Sequence, residues 1–378
     1  MARPLSVLHV SSARTWRGGE QQLAYLYQQL EATRGIRQAI ACAGGSELER
    51  TCRERGYRHV PVTRRGAVDP LFARGVARAA AGLGAEIVHA HDPHAHTASV
   101  LARALFRCQG PIAVHRRVDF GIKRDPFTRW KYDHPSVRRI VCVSEAIARI
   151  LRPAIRDPAR LRVVHDGVDL ARFAGVAADG RLRREYGVPA GVPMIGNVSA
   201  LADHKDYPTF VEVAARLTAR GVAARFFAVG EGEERPAIEA AIRARGLGER
   251  VFLTGFRSDV PALLAELDVL LFPSKTEGLG STVLDAFASG VPVVATAAGG
   301  IPELVVDGEC GLLAPVRDVE CLAERVARVL REPGLRARLV EGGRRRVERF
   351  SIGRMADEMG SVYEELLGGG QAAATSAS

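Results

Sequence analysis

The chain has 378 residues, of which 47% are hydrophobic, and this length exceeds what a single hydrophobic core usually holds. Its six cysteines form no CxxC pair, so neither a disulfide framework nor a zinc site is indicated. No run of about 18 apolar residues occurs, and the start lacks the apolar stretch of a signal peptide. These features predict a cytoplasmic protein of two domains, attached at most to a membrane surface.

The net charge of +10 is unevenly distributed. Residues 1–180 contain 29 lysines and arginines against 16 acids, whereas the remainder contains 24 against 27. A basic first half is typical of a protein that meets an anionic membrane, a phosphorylated acceptor or a nucleic acid. An arginine-rich composition with no functional meaning explains it equally well.

Short apolar runs alternate with helical patterns throughout the first half. The predicted strands there are LSVLHVSS, RQAIACAG, AEIVHAHD, PIAVHRR and RRIVCVS. Helices are predicted between them, including residues 46–56 and 95–107, and a glycine-rich turn precedes the first helix. This alternation predicts a parallel sheet covered by helices on both faces.

The second half repeats this organisation after a connector near residues 166–182. Its predicted strands are PMIGNVSA, ARFFAVGEG, RVFLTGF, DVLLFPS and PVVATAAGG. The fold class is therefore α/β, with two Rossmann-like, doubly wound domains. We place the first domain at residues 1–170 and the second at 171–350. A helix at 351–367 is expected to pack back on the first domain, and residues 368–378 are expected to be disordered.

Two acids, Glu277 and Asp285, follow the strand DVLLFP and stand on either side of a glycine-rich turn that begins a helix. Glycines let the backbone approach a ligand closely, and amides at a helix start can bind a diphosphate. Asp285 can accept hydrogen bonds from vicinal hydroxyls such as those of a ribose. The residues of the turn and helix start with this predicted role are Gly278, Gly280, Ser281 and Thr282.

The segment EGLGSTVLDAFASGVPVVATAAGGIPELVVDGECGLL resembles the signature region of the family 4 (group 1) retaining glycosyltransferases. The resemblance extends over nearly the whole chain. It implies the GT-B fold, in which two domains face a central cleft and a C-terminal helix crosses back to the first domain. It also implies that Glu277 contacts the donor hexose and Asp285 the nucleotide ribose, although the family has glutamate at the second position.

Lys205 follows the first strand of the second half, where a cation can balance the charge that grows on a departing nucleoside diphosphate. An ordinary solvated lysine is the alternative. The family commonly has an arginine six residues earlier, and this chain has Ser199 there. The resemblance therefore implies that diphosphate stabilisation depends on Lys205 and the helix amides.

Two further loops, at Gly230 and at Phe256-Arg257, end successive strands of the second half. In the family such loops flank the nucleobase, and backbone groups suit this contact because they are rigidly aimed. Side chains therefore do not indicate which base is bound. Phe256 suits core packing equally well.

In the first half, Gly18 and Gly19 occupy a loop that in the family borders the donor phosphates and the acceptor. His115 resembles the family's active-site histidine, close to the transferred sugar, and a buried structural histidine is the alternative. A separate histidine cluster invites a metal interpretation, but it lacks the HExxH pattern of a zinc helix. We predict that no metal is bound. The members of that cluster are His89, His91, His94 and His96.

Residues 116–139 combine many cationic side chains with four aromatic rings. Such a mixture suits a membrane surface or a phosphorylated glycolipid. RNA binding uses the same residue types, and a solvated helical face with core aromatics is the plain alternative.

The resemblance implies a retaining glycosyltransferase that moves a sugar from a nucleoside diphosphate-sugar to a hydroxyl of a glycan or glycolipid. The expected setting is synthesis of lipopolysaccharide or another bacterial surface polysaccharide, in the cytoplasm or peripherally on the cytoplasmic face of the inner membrane. No cofactor beyond the co-substrate and no nucleic acid are expected. A sugar-nucleotide epimerase of the same fold and a non-catalytic sugar-nucleotide or glycan-binding protein are the alternatives.

Overall fold

A computed structural model describes residues 5–123 and 125–374, with side chains described up to residue 368. The chain divides into two compact units. The first unit contains the described residues up to Gly167 and from Ile352 onward, and the second contains Val168–Ser351. The boundaries predicted at 170/171 and 350/351 differ from these by three residues and one residue.

The first unit is built on a parallel sheet of seven strands in the order β3-β2-β1-β4-β5-β6-β7. The order reverses between β1 and β4, which makes this edge the switch point where such sheets bind ligands. The strands are β1 (Ser6–Ser11), β2 (Arg37–Ala43), β3 (His59–Val62), β4 (Ile87–Ala90), β5 (Ile112–Arg116), β6 (Val137–Cys142) and β7 (Leu161–Val163).

Six α-helices connect these strands, and five of them begin at a side chain that caps the first turn. Ser46, Asp69, Asp92, Asp125 and Ser144 each accept at least one hydrogen bond from a backbone amide of the helix that follows. The helices are α1 (Gly18–Arg34), α2 (Glu47–Arg55), α3 (Pro70–Leu83), α4 (Pro93–Phe106), α5 (Pro126–Asp133) and α6 (Glu145–Leu151).

The second unit is built on a parallel sheet of six strands in the order β10-β9-β8-β11-β12-β13. Its strands are β8 (Met194–Val198), β9 (Arg225–Val229), β10 (Val251–Gly255), β11 (Val269–Phe272), β12 (Val293–Thr296) and β13 (Leu312–Ala314). Its helices are α7 (Arg181–Glu185), α8 (Tyr207–Ala219), α9 (Arg235–Ala244), α10 (Val260–Ala265), α11 (Ser281–Ala288), α12 (Ile301–Leu304), α13 (Val319–Arg331) and α14 (Pro333–Val347).

The last helix, α15 (Ile352–Ala374), belongs to the first unit. Its residues Met355, Met359 and Tyr363 share a buried cluster with Tyr25 and Leu26 of α1. The helix was predicted to end at residue 367, but it continues to Ala374. The three glycines at 368–370 oppose helix, whereas the glutamine and three alanines that follow favour it. The disorder predicted from 368 therefore does not hold for 368–374, and the rest of that tail lies outside the described residues.

Within the described part of the chain, no helix is both long and apolar enough to cross a membrane.

Candidate active site

Lys205 lies beyond the carboxyl end of β8, in a short helical turn formed by Asp203–Lys205. The Lys205 amide donates to the Ala202 carbonyl at 2.9 Å and closes this turn. The next residue, Asp206, has a left-handed backbone with φ of 52°, and α8 begins directly after it. Lys205 is thus held at a strand end, the position where open α/β sheets bind ligands.

Lys205 and Glu277 form an ion pair, with 2.5 Å between Lys205 Nζ and Glu277 Oε1. The two side chains are only 15% and 8% exposed. The Ser274 hydroxyl donates to the same carboxylate oxygen at 2.8 Å. Because both charges are largely withdrawn from water, removing one partner would leave the other uncompensated. The structure therefore brings two of the predicted catalytic residues into direct contact.

Helix α11 begins at Ser281, shortly after Glu277 in the sequence. Gly280, the residue before the helix, has a left-handed backbone with φ of 95°. The Thr282 hydroxyl donates to the Val198 carbonyl at 2.9 Å, so the start of α11 is attached to the end of β8. The amide of Val283 already donates to the Gly280 carbonyl at 2.9 Å. Since the first amides of a helix have no acceptor within it, those of Ser281 and Thr282 are suited to an anion.

The loop that carries Glu277 and Gly278 packs against the turn after β12. Gly299 in that turn has φ of 53°, and a Cβ atom there would lie 1.9 Å from the Glu277 carbonyl oxygen. The Gly300 amide donates to this same carbonyl at 3.0 Å. Only glycine fits at position 299. Sequence reasoning did not assign Ser274 or Gly299 to the site, although the Gly-Gly turn after PVVAT was a signal for the second.

Asp285 lies about one turn into α11. Burial raises the pKa of its carboxyl to about 6, and the Arg172 guanidinium partly opposes this effect. Such a carboxyl is partly protonated near neutral pH, so it can donate as well as accept a hydrogen bond. Its contact with a ribose stays a prediction.

The loops after β8 and β9 touch through two glycines. Gly230 has φ of 143°, and a Cβ atom there would lie 2.0 Å from the Ser199 carbonyl oxygen. A Cβ atom at Gly232 would lie 2.2 Å from the Leu201 carbonyl oxygen. The Ser199 hydroxyl is 3.0 Å from the Tyr207 hydroxyl and joins a local hydrogen-bond network. These contacts fix the loop between β8 and Lys205.

Phe256 and Arg257 follow β10 and differ sharply in their surroundings. The Phe256 ring is 77% exposed, which rules out core packing for it. The Arg257 guanidinium donates to Glu185 at 2.8 and 3.0 Å and to Asp259 at 2.8 and 2.9 Å. These bonds raise the pKa of Arg257 and compensate its charge. Phe256 is therefore the more accessible of the two predicted base contacts.

In the first unit, Gly18 and Gly19 are the first residues of α1. A Cβ atom at Gly18 would meet no atom within 4 Å, and one at Gly19 would meet only Arg117 Cδ, at 3.8 Å. Neither glycine has a left-handed backbone. Packing among the described residues does not require glycine here. The predicted contact of these glycines with a ligand stays a prediction.

His115, on β5, ends a chain of buried hydrogen bonds that starts on α15. The Tyr363 hydroxyl lies 2.7 Å from His89 Nδ1, and His89 Nε2 lies 3.3 Å from His115 Nδ1. Burial lowers the pKa of both histidines well below the ordinary value, so both are neutral. If Tyr363 donates its proton, His89 donates from Nε2, and His115 carries its proton on Nε2. That nitrogen is 4.0 Å from Asp166 Oδ1 and has no hydrogen-bond partner among the described residues.

A second series of hydrogen bonds leaves His91 with an unused acceptor nitrogen, whereas His115 is left with an unused N–H. The Gln38 amide nitrogen donates to the Tyr27 carbonyl at 3.0 Å, so its oxygen accepts from His9 Nε2 at 3.0 Å. His9 Nδ1 then accepts from His91 Nε2 at 3.0 Å. Burial lowers the pKa of His9 to about 4 and that of His91 well below its ordinary value. His91 Nδ1 is therefore a free lone pair, with no partner in the described part of the chain.

The structure separates the histidine cluster that the sequence suggested. His94 is exposed, and His96 bonds instead to the Lys131 carbonyl at 3.1 Å. His9 takes their place, since His9, His89 and His91 each offer a nitrogen within 4.8 Å of the others. Hydrogen bonds already use both nitrogens of His9 and of His89. A metal would have to displace these bonds, so we assign none.

Two family models match the chain over most of its length. The model described as Glycosyltransferase Family 4 matches residues 16–172, and the one described as Glycosyl transferases group 1 matches residues 179–346. The chain belongs to the family 4, group 1 glycosyltransferases. The predicted family and the class of enzyme, a transferase, are thereby confirmed.

Relatives of this glycosyltransferase differ in the reactions that their names describe. The alpha-D-kanosaminyltransferase of Streptomyces kanamyceticus is 29% identical over 272 residues, which cover 68% of this chain and 67% of that protein. The lipopolysaccharide core biosynthesis glycosyltransferase LpsE of Rhizobium meliloti is 31% identical over 183 residues. This match covers 48% of the chain and 51% of that protein, so the chain spans about half of that relative.

A solved structure with the same fold is Alr3699/HepE of Anabaena, in complex with UDP-glucose. It matches with a TM-score of 0.83 and 19% identity, over 96% of this chain and 100% of that chain. At this identity the likeness concerns the fold alone. It confirms the predicted GT-B class, with two Rossmann-like units.

Proposed function

We propose that this glycosyltransferase moves a sugar, with retention of anomeric configuration, from a nucleoside diphosphate-sugar to a hydroxyl of a glycan or glycolipid. The observation that carries the proposal is the buried contact between Lys205 and Glu277, next to the start of α11. A cation, an acid and free helix amides at strand ends of one unit are the groups that a sugar diphosphate needs.

Each of these groups has a distinct role in the proposal. Lys205 has three N–H donors, so it can keep Glu277 and still donate to the leaving diphosphate. The amides of Ser281 and Thr282 take further phosphate oxygens. Glu277 accepts hydrogen bonds from hydroxyls of the donor sugar, and Asp285 contacts the ribose.

Retention is proposed to proceed by attack on the same face as the leaving group. The bond from the anomeric carbon to the diphosphate oxygen breaks, and a bond from this carbon to the acceptor oxygen forms. The acceptor proton passes to a phosphate oxygen of the leaving nucleotide. No protein base and no cofactor beyond the co-substrate are then needed. His115, with its N–H on Nε2, is proposed to donate to a hydroxyl of the sugar or the acceptor.

The acceptor is proposed to be a lipopolysaccharide or another surface polysaccharide, built at the cytoplasmic face of a membrane. Support comes from the named role of the Rhizobium relative and from the basic first half of the chain. The rings of Phe120, Phe127 and Trp130 are 61%, 40% and 38% exposed, as expected for contact with a membrane surface. Tyr132 of the same segment is buried.

The test is a transfer assay with a panel of UDP-, GDP- and ADP-sugars, in which the product anomer is read by NMR. The Glu277→Gln variant is expected to lose activity by a factor of roughly 100 or more, because its amide cannot replace a charged acceptor. Glu249→Gln, which changes an exposed acid of the same unit, is the control and should keep full activity. Unchanged turnover in Glu277→Gln would remove this residue from the site.

The same assay separates the alternatives. Epimers formed from the donor in the absence of acceptor would support the epimerase alternative. Binding of the donor without any turnover would support a non-catalytic sugar-nucleotide-binding protein.

A further inference from the structure

The first unit contains a cavity of about 540 Å³, a volume typical of small-molecule sites. It is lined by loops that follow β1, β3, β4 and β5, at the carboxyl ends of the strands. Five arginines contribute to its wall: Arg14, Arg17, Arg64, Arg116 and Arg117.

The two carboxylates in the wall, Glu20 and Asp92, are engaged in holding the backbone. Asp92 accepts from the Ser12 amide and hydroxyl, both at 2.6 Å, and from the amides of His94 and Ala95, both at 2.9 Å. Glu20 accepts from the Arg17 amide at 3.1 Å. The cavity therefore has an excess of positive charge that its own acids do not balance.

Several of these cations also have buried nitrogens with no hydrogen-bond partner in the described part of the chain. They are Arg64 Nε, Arg116 Nε, and Nη1 and Nη2 of Arg117. Arg117 Nε is held by Asp166 at 3.1 and 3.2 Å, which fixes the guanidinium and leaves its two terminal amino groups free. A buried donor without a partner is costly, and such groups in native proteins usually meet a ligand or water.

His91 and His115 complete the wall with one acceptor and one donor. Both line the cavity, and their ring centres are 5.7 Å apart. His91 Nδ1 offers a lone pair, and His115 Nε2 offers an N–H when the Tyr363 hydroxyl donates to His89. A hydroxyl group, which both donates and accepts, matches this pair.

We propose that this cavity binds the acceptor, and that the acceptor carries an anionic group, phosphate or carboxylate, near its reacting hydroxyl. The arginines Arg64, Arg116 and Arg117 contact the anion, and His91 and His115 orient a hydroxyl. The proposal rests on the proposed function. Because the second unit supplies its own groups for the donor diphosphate, the arginines of the first unit are assigned to the acceptor.

The experiment is calorimetric titration of the full chain in the presence of saturating UDP. The probes are glucose 6-phosphate, glucuronate and glucose, which share a ring but differ in their anionic group. At least one anionic probe is expected to bind roughly ten times or more tightly than glucose, and the better of the two distinguishes phosphate from carboxylate. Arg64→Gln is expected to lower the affinity for that probe by roughly 10- to 100-fold, which is the range that one charge-assisted hydrogen bond contributes.

Arg65→Gln is the matched control, because it removes the same charge from an exposed neighbour that does not line the cavity. It should leave the affinity for the anionic probe unchanged. Equal affinity for all three probes, or no effect of Arg64→Gln, would overturn the proposal. So would binding of the anionic probes only in the absence of UDP, because the cavity would then hold the donor phosphates.

A separate titration with UDP alone distinguishes the two proposals. Failure of UDP to bind contradicts the proposed transfer reaction. The anionic probes, titrated without UDP, then still test the charge preference of the cavity through the same pair of arginine variants.

Discussion

Asp285 is a carboxylic acid inside a helix of the second unit, and its surroundings favour the neutral form. Burial raises the pKa of Asp285 from its ordinary 3.8 to about 6, and Arg172 offsets only part of this effect. The native protein thus binds this proton more tightly than the unfolded chain does. The stability linked to the proton is complete below pH 3.8 and is lost as the pH rises through about 6.

Replacing Asp285 with Asn is therefore expected to stabilise the protein at pH 8, by at most about 3 kcal/mol, because no charge is then buried. The gain should shrink as the pH falls from 8 to 5, where the native aspartate is itself largely protonated. Thermal unfolding midpoints of both proteins at several pH values measure the difference. A gain that does not change with pH would contradict the assigned cause.

At the scale of elements, the sequence predicted the central strands of both sheets but not three of the outer ones. The strands β3, β7 and β13 have only three or four residues, and each lies at an edge of its sheet. Edge strands are commonly kept short, because a long exposed edge pairs with other chains. Length alone does not explain the difference, because the four-residue strands β4, β11 and β12 were predicted. Those three are fully buried, whereas β3 contains the exposed Pro61, β7 contains Arg162, and β13 has only three residues.

In the candidate site, residues close to a predicted strand were predicted, whereas contacts between residues far apart in the sequence were not. Lys205, Glu277 and the start of α11 were predicted because each stands directly after a recognisable strand. The roles of His9 and Tyr363 were not predicted, because they reach the other histidines from β1 and α15, and no spacing in the sequence indicates that contact. Gly299 acts on Glu277 in the same way, across two loops.

Gly299→Ala tests whether the turn after β12 positions Glu277. Its Cβ atom would lie 1.9 Å from the Glu277 carbonyl oxygen, so the loop must move. Transfer activity is expected to fall at least roughly tenfold, since small displacements of catalytic groups have large effects on rate. The readouts are the transfer rate and the thermal unfolding midpoint.

Gly308→Ala is the matched control for this variant. Gly308 also has a left-handed backbone, with φ of 78°, but a Cβ atom there would meet nothing within 4 Å. Both variants pay the conformational cost of about 1–2 kcal/mol for a side chain in this region. Equal effects of the two on the transfer rate would show that the close contact with Glu277 is unimportant.

At the scale of the whole molecule, the two units depend differently on the order of the chain. The second unit is one continuous segment, Val168–Ser351, with its own apolar core. The first unit needs α15, which follows the second unit in the sequence. Residues that α15 adds to the core of the first unit are Ile352, Met355, Ala356, Met359, Val362, Tyr363 and Leu366.

This arrangement predicts that a fragment of residues 168–351 folds alone and binds UDP, whereas a fragment of residues 1–167 does not fold. Without α15, fragment 1–167 exposes apolar side chains of α1 and leaves His89 without its hydrogen bond to the Tyr363 hydroxyl. Circular dichroism during heating should show a cooperative transition for fragment 168–351 and none for fragment 1–167. Calorimetry should show that fragment 168–351 binds UDP. Joining residues 352–374 to fragment 1–167 through a flexible linker should give cooperative unfolding, because α15 then completes the apolar core of the first unit. If residues 1–167 unfold cooperatively without this addition, α15 is not required by the first unit.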